Sequence, residues 1–122
     1  MPHLIIEYSA NLGDFPEAQA LAELNDSIIA SGQIAEEHDL KSRCVRAGSY
    51  AIGASARQAE PRGFVHAELR LLSGRTPEIK RELSDRIAAV LRARTPQPEG
   101  MLVQLSVDIV DMDRAAYTKA KL

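Results

Sequence analysis

The sequence predicts an α+β fold in which two β-α-β units form a four-stranded sheet with two helices on one face. Short apolar runs and amphipathic stretches follow one another as strand, helix, strand, and this order occurs twice along the chain. Parallel crossovers share one hand, so two such units in one sheet carry their helices to the same side. The chain's 122 residues and 13.3 kDa suit one domain spanning residues 1–122.

The first unit opens with residues 3–8, His-Leu-Ile-Ile-Glu-Tyr, which read as a strand beginning almost at the terminus. Asn11-Leu12-Gly13-Asp14 is turn chemistry. Asp14 stands three residues before Glu17, with Pro16 between them, which predicts a capping box at the start of a helix. Leu21, Leu24 and Ile28 place one apolar stripe on that helix, and Gly32 ends it. Residues 40–47 read as a second strand carrying basic residues. Residues 48–63, rich in Gly, Ser, Ala and Gln, read as a loop or irregular hairpin.

In the second unit, residues 64–72 form a strand that Ser73-Gly74 breaks. Thr76 is a good N-cap and Pro77 suits the first helical position. Ile79, Leu83, Ile87, Val90 and Leu91 mark the buried face of a second helix, which ends before Thr95-Pro96-Gln97-Pro98. Residues 101–110 alternate Met/Val/Leu/Val/Ile against Leu/Gln/Ser/Asp/Val, a strand with one apolar face. A short helical turn is expected near residues 115–120. The sheet face without helices must be covered, and other subunits are the expected cover.

Composition narrows the function classes. Fifteen Lys and Arg against seventeen Asp and Glu give a net charge of −2 with no basic block, which argues against nucleic acid or an anionic membrane as partner. Two Phe, three Tyr and no Trp argue against an aromatic stacking platform for single strands. No run approaches a membrane span, and no basic-then-apolar leader opens the chain. The single cysteine, Cys44, has no intramolecular partner and no metal-ligand spacing, and it reads as a small buried residue. A reducing cytoplasm is the expected compartment.

Pro2 is the most informative position. A small residue after the initiator favours removal of Met1, which leaves a free secondary amine. That nitrogen can bind and release a proton, unlike any internal proline. Partial burial and nearby cations lower the proton affinity of an ammonium, and a value near the working pH is what a general base needs. Pro2 would sit directly on the first strand, held by the sheet.

The opening Met-Pro-His-Leu-Ile-Ile-Glu-Tyr-Ser, the pair Ser42-Arg43, and Phe64-Val65-His66 followed by Ser73-Gly74-Arg75, in this order, resemble the 5-carboxymethyl-2-hydroxymuconate isomerase family. That family belongs to the tautomerase superfamily, alongside 4-oxalocrotonate tautomerase and macrophage migration inhibitory factor. The resemblance runs from Pro2 to the final strand. It implies Pro2 as catalytic base, Arg43 and Arg75 as pocket arginines, and a homotrimer with pockets near subunit boundaries. It also implies a small-molecule carboxylate substrate in the breakdown of homoprotocatechuate, an aromatic compound.

A guanidinium suits this role, being permanently charged and able to grip a planar carboxylate with two parallel hydrogen bonds. His3 is a candidate substrate-binding residue beside the base, although strand alternation points it away from Pro2. His66 shares its two readings, proton handling or a hydrogen-bonded structural role, and Glu7 and Tyr8 either line the pocket or finish the strand. Lys41 and Arg46 either add positive field to the pocket or stand as solvated charges, the second being the preferred reading. Between Val45 and Gly63 the chain departs from the family's aromatic-rich pattern, so this loop is expected to shape the pocket and alter substrate choice.

The implied reaction is keto–enol tautomerisation of an unsaturated 2-hydroxy acid, with 5-carboxymethyl-2-hydroxymuconate as the first candidate. One amine acts as base and then as acid, so no metal or organic cofactor is required. At this level three alternatives stay open on the same scaffold: a promiscuous phenylpyruvate-type tautomerase, a dehalogenase, or a non-enzymatic trimeric binding protein.

Overall fold

In the computed structural model, which describes residues 1–54 and 60–122, the described residues form β1 (His3–Ser9), α1 (Glu17–Ala30), β2 (Lys41–Ala47), β3 (Arg62–Leu72), α2 (Pro77–Arg94) and β4 (Leu102–Met112). A 3₁₀ turn at Glu37–Asp39 leads into β2. The strands make one four-stranded sheet in the order β2-β1-β3-β4. β1 runs parallel to β2 and antiparallel to β3, and β3 runs parallel to β4. The two β-α-β units therefore meet along β1 and β3, as the doubled pattern predicts.

Alternation along each strand sorts the side chains. Leu4, Ile6 and Tyr8 of β1 and Val65, Ala67, Leu69 and Leu71 of β3 are buried against the helices, with Ala20, Leu24 and Ile28 of α1 and Leu83, Ile87 and Leu91 of α2. The opposite face carries His3, Ile5 and Glu7, then Lys41, Arg43 and Val45, and it is more exposed. The helices are tied to each other by Arg94, whose Nε and Nη2 reach the Glu23 carboxylate at 2.8 and 2.7 Å. Arg86 Nη1 also donates to the Ser27 carbonyl of α1 at 3.2 Å.

The helix starts differ in chemistry. Thr76 caps α2, its hydroxyl accepting from the Ile79 amide at 3.2 Å, with Pro77 behind it. The capping box expected at α1 is absent: Pro16 occupies the cap position and no side chain caps the helix. Glu17 is engaged instead by the Tyr8 hydroxyl at 2.7 Å, a contact between the first helix and the first strand that a local pattern does not encode. Tyr8 also stacks on Phe15, with centroids 4.5 Å apart.

Two further expectations shift. The stripe of α1 is led by Ala20, Leu24 and Ile28, with Leu21 only partly buried. The segment after β4 forms a turn at residues 114–116 and then runs without regular structure, rather than a helical turn at 115–120. Asp113 explains the turn, because its carboxylate accepts from the Ala115 amide (3.0 Å) and its carbonyl from the Tyr117 amide (3.1 Å).

The packing yields a graded stability prediction. Leu24→Ala, which empties a fully buried position of α1, is expected to cost about 2–5 kcal/mol. Thr76→Ala, which removes only the cap of α2, is expected to cost about 1 kcal/mol. Urea unfolding of the two variants beside the parent checks the order.

Candidate active site

The topology gathers four chain segments at one end of the sheet. β1 and β2 begin there, because they are parallel and His3 is paired with Lys41. β3 ends there, because it is antiparallel to β1 and Arg70 is paired with His3. β4 ends beside β3, with Met112 paired with Leu72. Pro2, Asp39, Arg75 and the residues after Met112 are thus brought together although they are far apart in sequence.

Pro2 is buried, on the helix-facing side of β1, and its carbonyl accepts from the Lys41 amide at 3.1 Å. The amino terminus, here on Met1, is held below its ordinary pKa, chiefly because burial disfavours the charged ammonium. Lys119, Arg75 and Lys41 act in the same direction, and Asp39 opposes them. This end of β1 is therefore a place where an amine gives up its proton more readily than in water.

Arg75 owes its position to Gly74, whose φ of 124° lies in a region that favours glycine. The chain turns there from β3 towards α2. Arg75 Nη1 donates to the Leu72 carbonyl at 3.1 Å and Nη2 to the Gln33 carbonyl at 2.9 Å. Its Nε is buried and has no hydrogen-bond partner among the described residues, a donor still unspent. Burial and the neighbouring Arg114 both lower its affinity for its proton. Among the described residues no carboxylate forms an ion pair with Arg75 or with Arg114, whose Nε donates to the Ser73 carbonyl.

Arg43 reaches the terminus through His3. Within the pair Ser42-Arg43, alternation turns Ser42 inward, where its hydroxyl donates to Asn25 Oδ1 of α1 at 2.6 Å, and turns Arg43 outward. Arg43 Nη1 lies 3.3 Å from His3 Nδ1, and His3 Nε2 lies 3.2 Å from the Tyr117 hydroxyl. The Tyr117 hydroxyl in turn donates to the Met1 carbonyl at 3.4 Å. A second anchor of the same segment is Lys119, whose Nζ meets Asp39 Oδ1 at 2.6 Å.

His3 points to the face opposite Pro2, as alternation predicts. Tyr117, Lys119, Asp39 and Arg114 were missed by the sequence reading. The signal that could have found them is topological: in a 2-1-3-4 sheet of this sense, the chain leaving β4 must emerge beside the start of β1.

The remaining candidates lie elsewhere or are engaged structurally. His66 pairs with Glu7 along the strand, about 10–13 Å from residue 3 at the rise of a strand, and its Nδ1 lies 2.7 Å from the Ser106 hydroxyl. Glu7 is exposed, while Tyr8 belongs to the core, and burial with its bond to Glu17 pushes its hydroxyl up to about 12. Arg46 is exposed and donates to the Ala10 carbonyl, and Lys41 Nζ donates to the Asp39 carbonyl. Cys44 packs against the core, where burial pushes its thiol up to about 11.

The loop after β2, expected to shape the pocket, starts away from this end of the sheet. It leaves from Ala47, which is paired with Ser9 at the far end of β1. Its described part folds back on β3, where Arg62 Nη1 donates to the Ile52 carbonyl at 3.2 Å and Tyr50 meets the Phe64 ring edge-on at 6.0 Å. The start of this loop at Ala47 therefore stands roughly 20 Å from Pro2 within one chain; residues 55–59 lie outside the described residues. Among the described residues no cluster of three or more His, Cys, Asp or Glu is arranged to hold a metal, and no helix is long and apolar enough to cross a membrane.

The sequence model of the 5-carboxymethyl-2-hydroxymuconate isomerase family matches residues 2–121. The chain belongs to that family. Among solved structures, a 5-carboxymethyl-2-hydroxymuconate isomerase from Deinococcus radiodurans R1 is 29% identical, with a TM-score of 0.83 over 99% of this chain and 90% of the other. A 5-carboxymethyl-2-hydroxymuconate delta-isomerase is 28% identical, with a TM-score of 0.82 over 100% and 88%. A fused 4-OT symmetric trimer shares the fold at 19% identity, with a TM-score of 0.65 over 98% and 92%. No curated protein sequence matches the chain. The chain is accordingly an isomerase of the tautomerase superfamily.

In this family member the His3 environment predicts a pH effect on stability. Burial is the largest cause of its lowered pKa, followed by Arg43, Lys41, the terminal ammonium and Arg70. The folded protein thus favours the neutral ring, and the stability this confers is present above pH 6.5 and lost as the pH falls below it. Urea midpoints at pH 7.5 and 5.5 are expected to differ less for His3→Gln than for the parent.

Proposed function

We propose that this isomerase catalyses keto–enol tautomerisation of an unsaturated 2-hydroxy acid, 5-carboxymethyl-2-hydroxymuconate, in aromatic compound catabolism. The amine of Pro2, freed by removal of Met1, is the base. It takes the 2-hydroxyl proton of the dienol and returns it to a distant carbon, so the same nitrogen serves as base and then acid. The observation that carries this reading is the seat of the amino terminus beside the start of β1. The Met1 amine, one residue before the Pro2 nitrogen, is partly buried and has its proton affinity lowered by burial and by Lys119, Arg75 and Lys41 against the opposing Asp39.

Arg75 and Arg43 supply charge for the substrate carboxylates. Arg75 holds a buried, unspent Nε at this end of the sheet, and Arg43 stands on the open face beside His3. His3 contributes at the pocket edge by holding its neighbours in place. The names of the solved relatives favour the same substrate, and the family match begins at residue 2. We assign the assembly as a homotrimer: the sheet face opposite the helices carries no layer among the described residues, and a relative of the same fold is a symmetric trimer.

Three outcomes test the reading. Intact mass is expected to show a mature chain starting at Pro2, and Pro2→Ala is expected to lower turnover of the dienol by about 10²-fold or more; an active protein that keeps Met1 contradicts it. Arg43→Ala and Arg75→Ala are each expected to reduce kcat/KM by about 10- to 150-fold, the worth of one charge-assisted pair, and parent-like kinetics in both removes the carboxylate assignment. Light scattering is expected to return the mass of three chains.

A further inference from the structure

We propose that the Tyr117 hydroxyl is a catalytic hydrogen-bond donor to the reacting oxygen of the substrate, aimed by His3 and Arg43. The inference rests on the Pro2 reading above and adds to it the group that meets the charge the base creates.

The argument starts from donor and acceptor chemistry. A guanidinium has donors and no acceptor, so the 3.3 Å contact from Arg43 Nη1 makes His3 Nδ1 the acceptor. The neutral ring then carries its proton on Nε2 and donates it to the Tyr117 oxygen 3.2 Å away. With its oxygen occupied as acceptor, Tyr117 spends its own proton on the Met1 carbonyl at 3.4 Å. The direction of the whole chain, from Arg43 through His3 to Tyr117, is fixed by the one member that cannot accept.

The end of that chain is the residue whose removal frees the base. The Met1 carbonyl oxygen and the Pro2 nitrogen are bonded to the same carbon, about 2.2 Å apart by standard peptide dimensions. Once Met1 is gone, Tyr117 loses that acceptor and Pro2 gains a lone pair. The hydroxyl proton then points at the space a substrate oxygen fills when its own proton is within reach of the nitrogen. The Met1 carbonyl oxygen thus marks the place proposed for the substrate oxygen.

The hydroxyl is also held firmly, as a donor of this kind must be. The Asp113 turn sets the backbone of Tyr117. Arg114 ties the turn to the Ser73 carbonyl, and Lys119 pins the following residues to Asp39, whose side chain is only 9% exposed. In the reaction the 2-hydroxyl proton passes to the Pro2 nitrogen and the oxygen keeps the electron pair. That pair becomes the ketone double bond as the ammonium returns the proton to the distant carbon. Tyr117 keeps its own proton throughout and shares it with the oxygen while the charge is there. Arg43 and Arg75 are left for the carboxylates.

The test compares the parent, Tyr117→Phe and Pro2→Ala on 5-carboxymethyl-2-hydroxymuconate and on the enol of phenylpyruvate. Tyr117→Phe is expected to lower kcat by about 10²- to 10³-fold on both, the scale of one lost oxyanion donor, with KM little changed. Both enols share the reacting oxygen, so both should suffer. Tyr117→3-fluorotyrosine, which keeps the hydroxyl and makes it more acidic, is expected to move the alkaline limb of the kcat profile to lower pH, a shift that a purely structural role would not produce. It also decides the matter if Tyr117→Phe fails to fold. Parent-like kcat in Tyr117→Phe, a change in KM alone, or an unmoved pH profile overturns the Tyr117 proposal while an inactive Pro2→Ala leaves the base intact. A fully active Pro2→Ala, or a parent that turns over neither enol, overturns the base reading and this proposal with it.

Discussion

Strand β1 is paired on both sides, parallel to β2 and antiparallel to β3, and the rest of the molecule is arranged around that fact. A strand bonded along both edges cannot fray at its start, so residue 2 is fixed by the backbone ladder instead of trailing into solvent. The same pairing divides its side chains. Leu4, Ile6 and Tyr8 anchor the core, and His3 faces the open side within reach of Arg43. A terminal amine is ordinarily mobile and hydrated; here the sheet makes it a positioned group.

Holding an amine in place is useful only if its surroundings change its chemistry. Burial is the largest influence on the terminus, and three cations from three different segments add to it: Lys41 at the start of β2, Arg75 after β3 and Lys119 after β4. Asp39 works against them, yet its carboxylate is already engaged by Lys119 at 2.6 Å, which also keeps it ionised well below the usual carboxylate range. The balance lowers the proton affinity of the amine. Such an environment would be unfavourable for folding alone, since it gathers like charges around a buried group and leaves the Arg75 Nε unsatisfied. Unspent donors and concentrated positive charge are the marks of a site shaped to receive an anion.

Stability is supplied elsewhere. The layer between sheet and helices is apolar and closed, and the interhelical Arg94–Glu23 pair lies at its margin. The core thus fixes the sheet, and the sheet fixes the end at which the segments meet. The described part of the loop after β2 leaves from Ala47, at the opposite end of β1 from Pro2.

By itself the sequence determined the order of elements, the shared side of the helices and the buried Leu24, Ile28, Leu83, Ile87 and Leu91 of the two stripes, because these follow from periods of two and 3.6 read locally. Ala20 was missed, and Leu21, Ile79 and Val90 are only partly buried. It also picked out Pro2, Arg43, Arg75 and His3 through the resemblance of their motifs to one family. Only the tertiary structure decided how these meet: that Arg75 lies at the terminus, that Arg43 arrives through His3, and that Tyr8 takes Glu17 away from a capping role. The segment of Tyr117 and Lys119 was read as a helical turn, since Ala-rich composition is a local signal and its true contacts, Met1, His3 and Asp39, are distant in sequence. Contacts across the whole chain depend on which strand ends share an edge, and that is settled by the pairing of β1 with β3, where no local pattern reaches.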